Sequence, residues 1–301
     1  MSLDLRILRA DDRTDFVGAL EEARARGDLR ASSDPELAFT LPIFGVEPGL
    51  FGAAFEDGAI VGWLSPELKI AVVRPDRRRE GIGRRLVELG LSMEAGRGRP
   101  ELFLGSVPDR PVGATFLDAT GFSFHSTVWD LELPIERIPP EPVWPAGMRL
   151  RTFDRDTDPD ALPPIVNAAF ADHPTPIVLE PAMLRASLDD PNILDDDALV
   201  LEDATGEIVG FCLADVHRRA GVIADHGEIG MVGVLPDRQG RGLGRQLLRA
   251  GTRYLRGAGV RHVGLSVNGR NDGALGLYES EGFQRARTRD RWAHPVALGS
   301  S

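Results

Sequence analysis

Apolar residues return at helical spacing twice along the chain, each time directly after a turn dense in glycine and arginine. Ile82, Leu86, Val87 and Met93 make the first stripe, and Leu243, Leu247, Leu248, Tyr254 and Leu255 the second. Each is the kind of face that a helix buries. Gly96 and Gly257 stand where those helices should stop. Before each turn lies a strand-like block, Leu68 to Val73 and then Ile229 to Val234. Hairpins precede these blocks: Leu50 to Phe55, an Asp57-Gly58 turn and Ile60 to Leu64, matched by Ala198 to Glu202, a Thr205-Gly206 turn and Ile208 to Val216. A strand opens each half (Asp4 to Arg9; Met148 to Phe153), and helical segments follow it. Another strand (Leu102 to Ser106; His262 to Val267) and a short helix close each half. The pattern predicts an α/β protein, each half a mixed, mostly antiparallel sheet flanked by helices.

The two halves are copies. Val73-Arg74-Pro75-Asp76-Arg77-Arg78-Arg79-Glu80-Gly81-Ile82-Gly83 is echoed by Val234-Leu235-Pro236-Asp237-Arg238-Gln239-Gly240-Arg241-Gly242-Leu243-Gly244, 161 residues on. Gly121-Phe122 and Gly282-Phe283 keep the same offset of 161, and an ungapped match of that length argues for duplication. Between the copies, Leu133 to Pro145 holds five prolines, a composition that favours an extended, semi-rigid connection. The expected division is a first domain over 1–139, a proline-rich linker over 140–147 and a second domain over 148–301.

Composition narrows the chemistry. The chain has 301 residues, enough for about two domains, with 42% hydrophobic and 27% charged positions. A net charge of −11 argues against nucleic acid or an anionic membrane as the main partner and suits a cationic small substrate. Cys212 is the only cysteine and lies in the apolar run Val209 to Leu213, so it is expected as buried strand filler, with no disulfide and no metal. Lys69 is the only lysine. No apolar run is long enough to span a bilayer, and Met1 to Arg6 lacks the pattern of a secretory signal. A cytoplasmic location is expected by default; the oligomeric state is left open.

A strand, a Gly/Arg turn and a helix start together form an anion site. The first helical N–H groups point outward, the helix dipole favours negative charge, and glycine lets phosphate oxygens approach the backbone. A P-loop would need a lysine that only Lys69 could supply, and Lys69 lies before the turn. A dinucleotide fingerprint would need glycine where Arg245 stands. What remains is Gln/Arg-x-x-Gly-x-Gly. Gln239 to Gly244, preceded by Val232-Gly233-Val234 and a proline, resembles the coenzyme A motif of the GNAT acetyltransferases, and Arg78 to Gly83 resembles it too. Asn271 to Phe283 is similar to the family's Asn-x-x-Ala-x-x-x-Tyr-x-x-x-Gly-Phe helix at every named position.

This resemblance implies two tandem GNAT folds and an N-acetyltransferase that uses acetyl-CoA as co-substrate on the primary amine of a small molecule. It implies that the backbone of Val232, Gly233 and Val234 binds the pantetheine arm, and that amides of Gln239, Gly240, Arg241, Gly242, Leu243, Gly244 and Arg245 bind the pyrophosphate. Asn271 would bond the pantetheine. Glu228, opening the central strand, matches a family base, with a solvated strand-end glutamate as the bland alternative. Tyr278 would protonate the leaving thiolate, the alternative being plain helix packing. A second coenzyme site is possible at Ala71, Val72 and Val73 with Arg78, Arg79, Glu80, Gly81, Ile82, Gly83 and Arg84. The first copy departs from the pattern, since Leu117 replaces Tyr278, Arg110 replaces Asn271 and Gly113 replaces Ala274. Glu67 matches Glu228, yet Ser65-Pro66-Glu67 reads as a tight turn. Catalysis is therefore expected in the second copy alone.

A narrower resemblance is to the mycothiol synthases, tandem enzymes that acetylate the cysteinyl amine of a cysteine–glucosamine–inositol conjugate. Asn167 to Pro174 and the Val232 to Gln239 segment support it. Gly210 to Asp215 lacks the polar and basic residues expected for that acceptor, and His173 alone reads as structural. The likeness is taken as architectural. A non-catalytic acyl-CoA-binding or regulatory protein is the alternative from another class.

Overall fold

The computed structural model of the chain describes residues 3–26, 51–108, 111–173, 178–188, 195–219 and 222–298. Arg110, Leu50, Pro174, Met1 and Ser2 lie outside the described residues. By packing, the chain forms two compact units: one runs to Val128 and resumes at Thr288, and the other spans Trp129–Arg287. The sequence repeat and the packing thus divide the chain differently.

In the first unit, β1 (Leu3–Ile7), β2 (Gly52–Glu56), β3 (Ala59–Ser65) and β4 (Ile70–Val73) form an antiparallel ladder in that order. Asp57 and Gly58 take φ of 48° and 84°, the doubly left-handed turn that a two-residue hairpin requires. Helix α1 (Arg13–Ala25) covers one face, where Phe16, Phe51 and Trp63 pack edge to face. Helices α2 (Ile82–Gly96) and α3 (Pro111–Ala119) serve a second core built on Leu64, Leu86, Leu102 and Leu117. Strand β5 (Glu101–Ser106) pairs antiparallel with the end of the chain's last strand, Asp290 opposite Ser106 through Pro295 opposite Glu101.

The second unit takes up the later residues of β6 (Ser123–Leu133) and continues through β7 (Arg149–Thr152), α4 (Asp158–Ala169), α5 (Pro181–Ser187), β8 (Ala198–Glu202), β9 (Ile208–Arg219), β10 (Val222–Val234), α6 (Leu243–Gly257), β11 (His262–Asn268), α7 (Asp272–Ser280) and the start of β12 (Gln284–Pro295). Strands run β11-β10-β9-β8-β7, with the later part of β6 beside β11, where Ser266 Oγ donates to Asp130 at 2.8 Å. One face carries Cys212, Ala214 and Ile229 against Leu247 and Leu255 of α6. The other carries Phe211 and Met231 against Leu162 and Val166 of α4. The segment 139–146 has no regular structure and lies along α6: Arg253 donates to Pro139 O at 3.0 Å, and Val143 N–H donates to Gln246 Oε1 at 2.9 Å.

The duplication is visible element by element. Helix α6 begins and ends 161 residues after α2, and α7 keeps the same 161-residue offset from α3. Strands β6 and β12 also start 161 apart, although the hydrophobic pattern did not single them out. β12 reads Gln-Arg-Ala-Arg-Thr-Arg-Asp-Arg at its start, too polar to announce a strand before its partners are known.

The two Gly/Arg turns have the same backbone. Gly81 caps α2 at φ 80°, ψ −3°, and Gly242 caps α6 at φ 79°, ψ 1°. Gly240 takes φ 73°, but the first copy places Arg79 there at φ 70°. A left-handed L-residue costs roughly 1–2 kcal/mol. Arg79→Gly is therefore expected to raise the unfolding midpoint of the first unit by a few degrees, read by differential scanning calorimetry; a lowered midpoint would count against strain at this position.

Candidate active site

Strands β10 and β11 are parallel neighbours only from His226 opposite His262 to Ile229 opposite Leu265. Both strands continue, so a wedge opens beyond Ile229. The cause lies on the other edge of β10, where pairing with β9 skips a residue: Ile229 faces Ala214 and Met231 faces Leu213. Gly230 is the extra residue of this bulge, and a bulge bends its strand.

Past the bulge, Leu235 N–H donates to Val209 O at 3.0 Å, toward β9. Strand alternation then turns the backbone groups of Val232 and Val234 away from β9, to the wedge. The side chain of Gln239 donates to Val234 O at 3.0 Å and so fastens the turn to the strand end. No neighbour lies within 4 Å of a Cβ built at Gly240 or Gly242. The turn therefore faces open space at Gly240 and Gly242, and the N–H groups of Leu243, Gly244 and Arg245, in the first turn of α6, have no intrahelical acceptor, as an anion site needs. The Arg245 guanidinium is engaged elsewhere, with Ser280 Oγ at 2.9 Å and with Glu281. Arg249 reaches the same Glu281 carboxylate at 2.7 Å, which ties α7 to α6.

That tie positions Tyr278, which packs against the α6-side core and Phe283. Its hydroxyl has no hydrogen bond among the described residues, and burial, with a smaller effect of Cys212, pushes its pKa up to about 12. The phenol is thus protonated at neutral pH. Cys212, whose charge acts weakly on this phenol and which belongs to the core Tyr278 packs against, is the cross-strand partner of Val232. Cys212 itself is buried, and burial pushes its thiol up to about 12, which makes it inert filler. Asn271 accepts from Ala274 N–H at 3.1 Å and caps α7; its amide nitrogen remains available as a donor.

Glu228 is partly exposed at the bulge and has His226 Nε2 at 3.7 Å. Directly opposite it on β9 stands Asp215, which the sequence pattern did not mark. Asp215 alternates with Leu213 and Phe211 and so faces the α4 side. Burial first, then the charges of Glu228 and Asp197, push its carboxyl up to about 7. Acidic groups and the phenol thus approach β10 from opposite faces. His173 packs on Phe170, ring centroids 5.3 Å apart.

The first unit repeats the turn without the rest. Arg78 Nε donates to Val73 O at 3.0 Å, taking the part of Gln239. Residues Ala71 to Val73 end the β4 ladder, and Glu80, Gly81, Ile82, Gly83 and Arg84 lead into α2 as expected. Yet Leu117 is buried in the core. Glu67 lies in a turn and binds Arg99 at 2.5 Å. Phe116 lies against Gly83, 3.0 Å from a Cβ built there. Lys69 occupies the place of Gly230, donates to Glu67 O at 3.1 Å, and has its pKa lowered to about 8 by burial and by Arg291. Among the described residues no group of His, Cys, Asp and Glu could hold a metal, and no helix is long and apolar enough to cross a membrane.

Residues 165–283 match the acetyltransferase (GNAT) family. A mycothiol acetyltransferase of Thermobispora bispora is 31% identical over 95% of this chain and 97% of its own length. Another from Thermomonospora curvata is 34% identical over 91% of each chain. Among solved structures, a GCN5-related N-acetyltransferase from Sphaerobacter thermophilus superposes with a TM-score of 0.72 at 21% identity, covering 99% of this chain and 97% of its own. A tandem GNAT protein from the clavulanic acid biosynthesis pathway gives 0.70 at 20% identity, covering 99% and 100%.

Proposed function

The chain belongs to the GNAT family of acetyltransferases, which use acetyl-CoA as co-substrate, and from that premise we propose that its second copy alone transfers the acetyl group to a primary amine of a small molecule. What carries this is the convergence on one wedge of an open glycine turn, a carboxylate at the bulge and a protonated phenol. The acceptor ammonium loses its proton to Glu228, directly or through water. The free amine attacks the thioester carbon, and a strand N–H at the bulge stabilises the oxyanion. The carbon–sulfur bond breaks, and Tyr278 protonates the departing thiolate. Val232 and Val234 hold the pantetheine, and the Gln239 to Arg245 turn holds the pyrophosphate.

The relatives named mycothiol acetyltransferases favour a cysteinyl amine, linked through its carboxyl to an amino sugar, as acceptor. The test is release of coenzyme A thiol from acetyl-CoA against a panel of amines that includes this conjugate. Release with one or more amines is expected; none with any amine would favour the non-catalytic acyl-CoA-binding alternative. The first copy enters the same assay through Gly81→Glu. Turnover per folded molecule is expected to stay within about threefold, because Leu117 has no proton to give and Glu67 is held by Arg99. Lost activity with intact fold and coenzyme affinity would overturn the asymmetry.

A further inference from the structure

Lys69, the chain's only lysine, stands where β4 and β5 of the first unit part. Its carbonyl accepts from Gly105 N–H of β5 at 2.7 Å. From Ile70 onward β4 pairs with β3 alone among the described strands. Arg74 N–H donates to Val61 O at 3.0 Å, toward β3, so alternation turns the backbone of Ala71 and Val73 to the open edge. Lys69 takes φ 56°, a conformation that strains an L-residue and that glycine adopts freely. It is half-buried, and its amine donates to Glu67 O at 3.1 Å, while the Glu67 carboxylate turns to Arg99 at 2.5 Å. Burial first, then Arg291, lower its pKa to about 8; Arg289 and Arg99 act the same way, and Glu67 opposes them.

We propose that Lys69 is a self-acetylation site: acetyl-CoA held by the first copy's own Gly81 turn gives its acetyl group, once, to this amine. The proposal rests on the reading of that turn as a second coenzyme site. A coenzyme with its pyrophosphate at the turn runs its arm back along the open edge, from Val73 toward Lys69. Those four residues span about 13 Å, a length comparable with an extended pantetheine arm. The neutral amine attacks the thioester carbon; the carbon–nitrogen bond forms and the carbon–sulfur bond breaks. Sulfur leaves as the thiolate, because Leu117 in the place of Tyr278 has no proton to give. Water carries the amine's surplus proton to it, and the products are acetyllysine and coenzyme A thiol. At pH 7 about a tenth of this amine is neutral, roughly 10²-fold more than of an ordinary lysine. One lysine allows one event per chain, which a copy without an acid can complete slowly and need never repeat.

The experiment is intact-mass spectrometry of the full chain incubated with acetyl-CoA and no added amine, with peptide mapping of the label. The wild-type protein is expected to gain one acetyl group on Lys69. Because only the neutral amine reacts, the labelling rate should rise with pH to about 8 and level off above it. Gly81→Glu should slow labelling at least about tenfold, whereas Gly242→Glu should leave it unchanged, since the second copy takes no part. Lys69→Arg keeps the charge and should leave its peptide unlabelled; circular dichroism checks each fold. A wild-type chain unlabelled at Lys69, labelling as fast in Gly81→Glu, or labelling lost in Gly242→Glu overturns the proposal. Calorimetry of the Gly242→Glu protein with acetyl-CoA separates the two readings. Binding without labelling leaves the second coenzyme site standing and removes the lysine chemistry; absence of binding overturns both. Transfer to small amines by the second copy is tested apart, by the amine panel.

Discussion

A glutamate at position 242 is expected to abolish turnover by removing acetyl-CoA affinity, with a loss of at least about 10²-fold. Gly242 caps α6 at φ 79°, and nothing lies within 4 Å of a Cβ built on it. A side chain there projects into the space reserved for the ligand. A negative one also cancels the attraction that the free amides and the helix dipole offer to a pyrophosphate. Folding should survive, because a left-handed L-residue costs only roughly 1–2 kcal/mol; the first copy carries one, Arg79 at φ 70°, at the neighbouring place of Gly240. The measurement is isothermal calorimetry with acetyl-CoA in a Gly81→Glu background, so that the first turn cannot mask the loss. Undiminished affinity in the double variant would remove the second turn from the coenzyme site.

The other large effect concerns Glu228. Its replacement by glutamine keeps the hydrogen-bonding shape and removes the basic oxygen. Turnover should fall about 10²–10⁴-fold, with acetyl-CoA affinity little changed. The rise of kcat/KM with pH should lose one limb, since the acceptor ammonium then has no internal group to receive its proton. Tyr278→Phe should lower kcat by a similar factor if thiolate departure limits the rate, and less with an acyl donor whose thiol is more acidic. A Glu228→Gln protein that keeps both its rate and its pH profile is incompatible with a base at this position.

Much of this was legible in the residues because the machinery is local. The turn, the helix it opens and the cap at Gly242 are contiguous, and their spacing alone marks the candidate anion site. The repeat made each element a check on its copy, and the helix boundaries kept the offset of 161. Asp215 was not legible. In the sequence it ends an apolar run and looks like the absence of a basic group. Only the register of β9 against β10, with a residue skipped at Gly230, brings it opposite Glu228, and register is a property of two segments together. Strands β6 and β12 escaped for the same reason, since their pairing is remote in sequence. Asn271 was expected to bond the pantetheine; that its carboxamide oxygen also caps α7, leaving the amide nitrogen for a ligand, is a division that a spacing motif does not display.

The path of the chain also bears on the order in which a ribosome delivers the protein. The first unit includes Thr288 onward, and β5 finds its antiparallel partner only in Asp290 to Pro295. The second unit is continuous from Trp129 to Arg287. During synthesis the later copy can therefore close before the earlier one, and the earlier copy must wait, with the edge of β5 unpaired, for the last strand to emerge. An unpaired edge is an invitation to another chain, so a nascent protein stalled before Thr288 would hold a nearly complete second copy beside an aggregation-prone first.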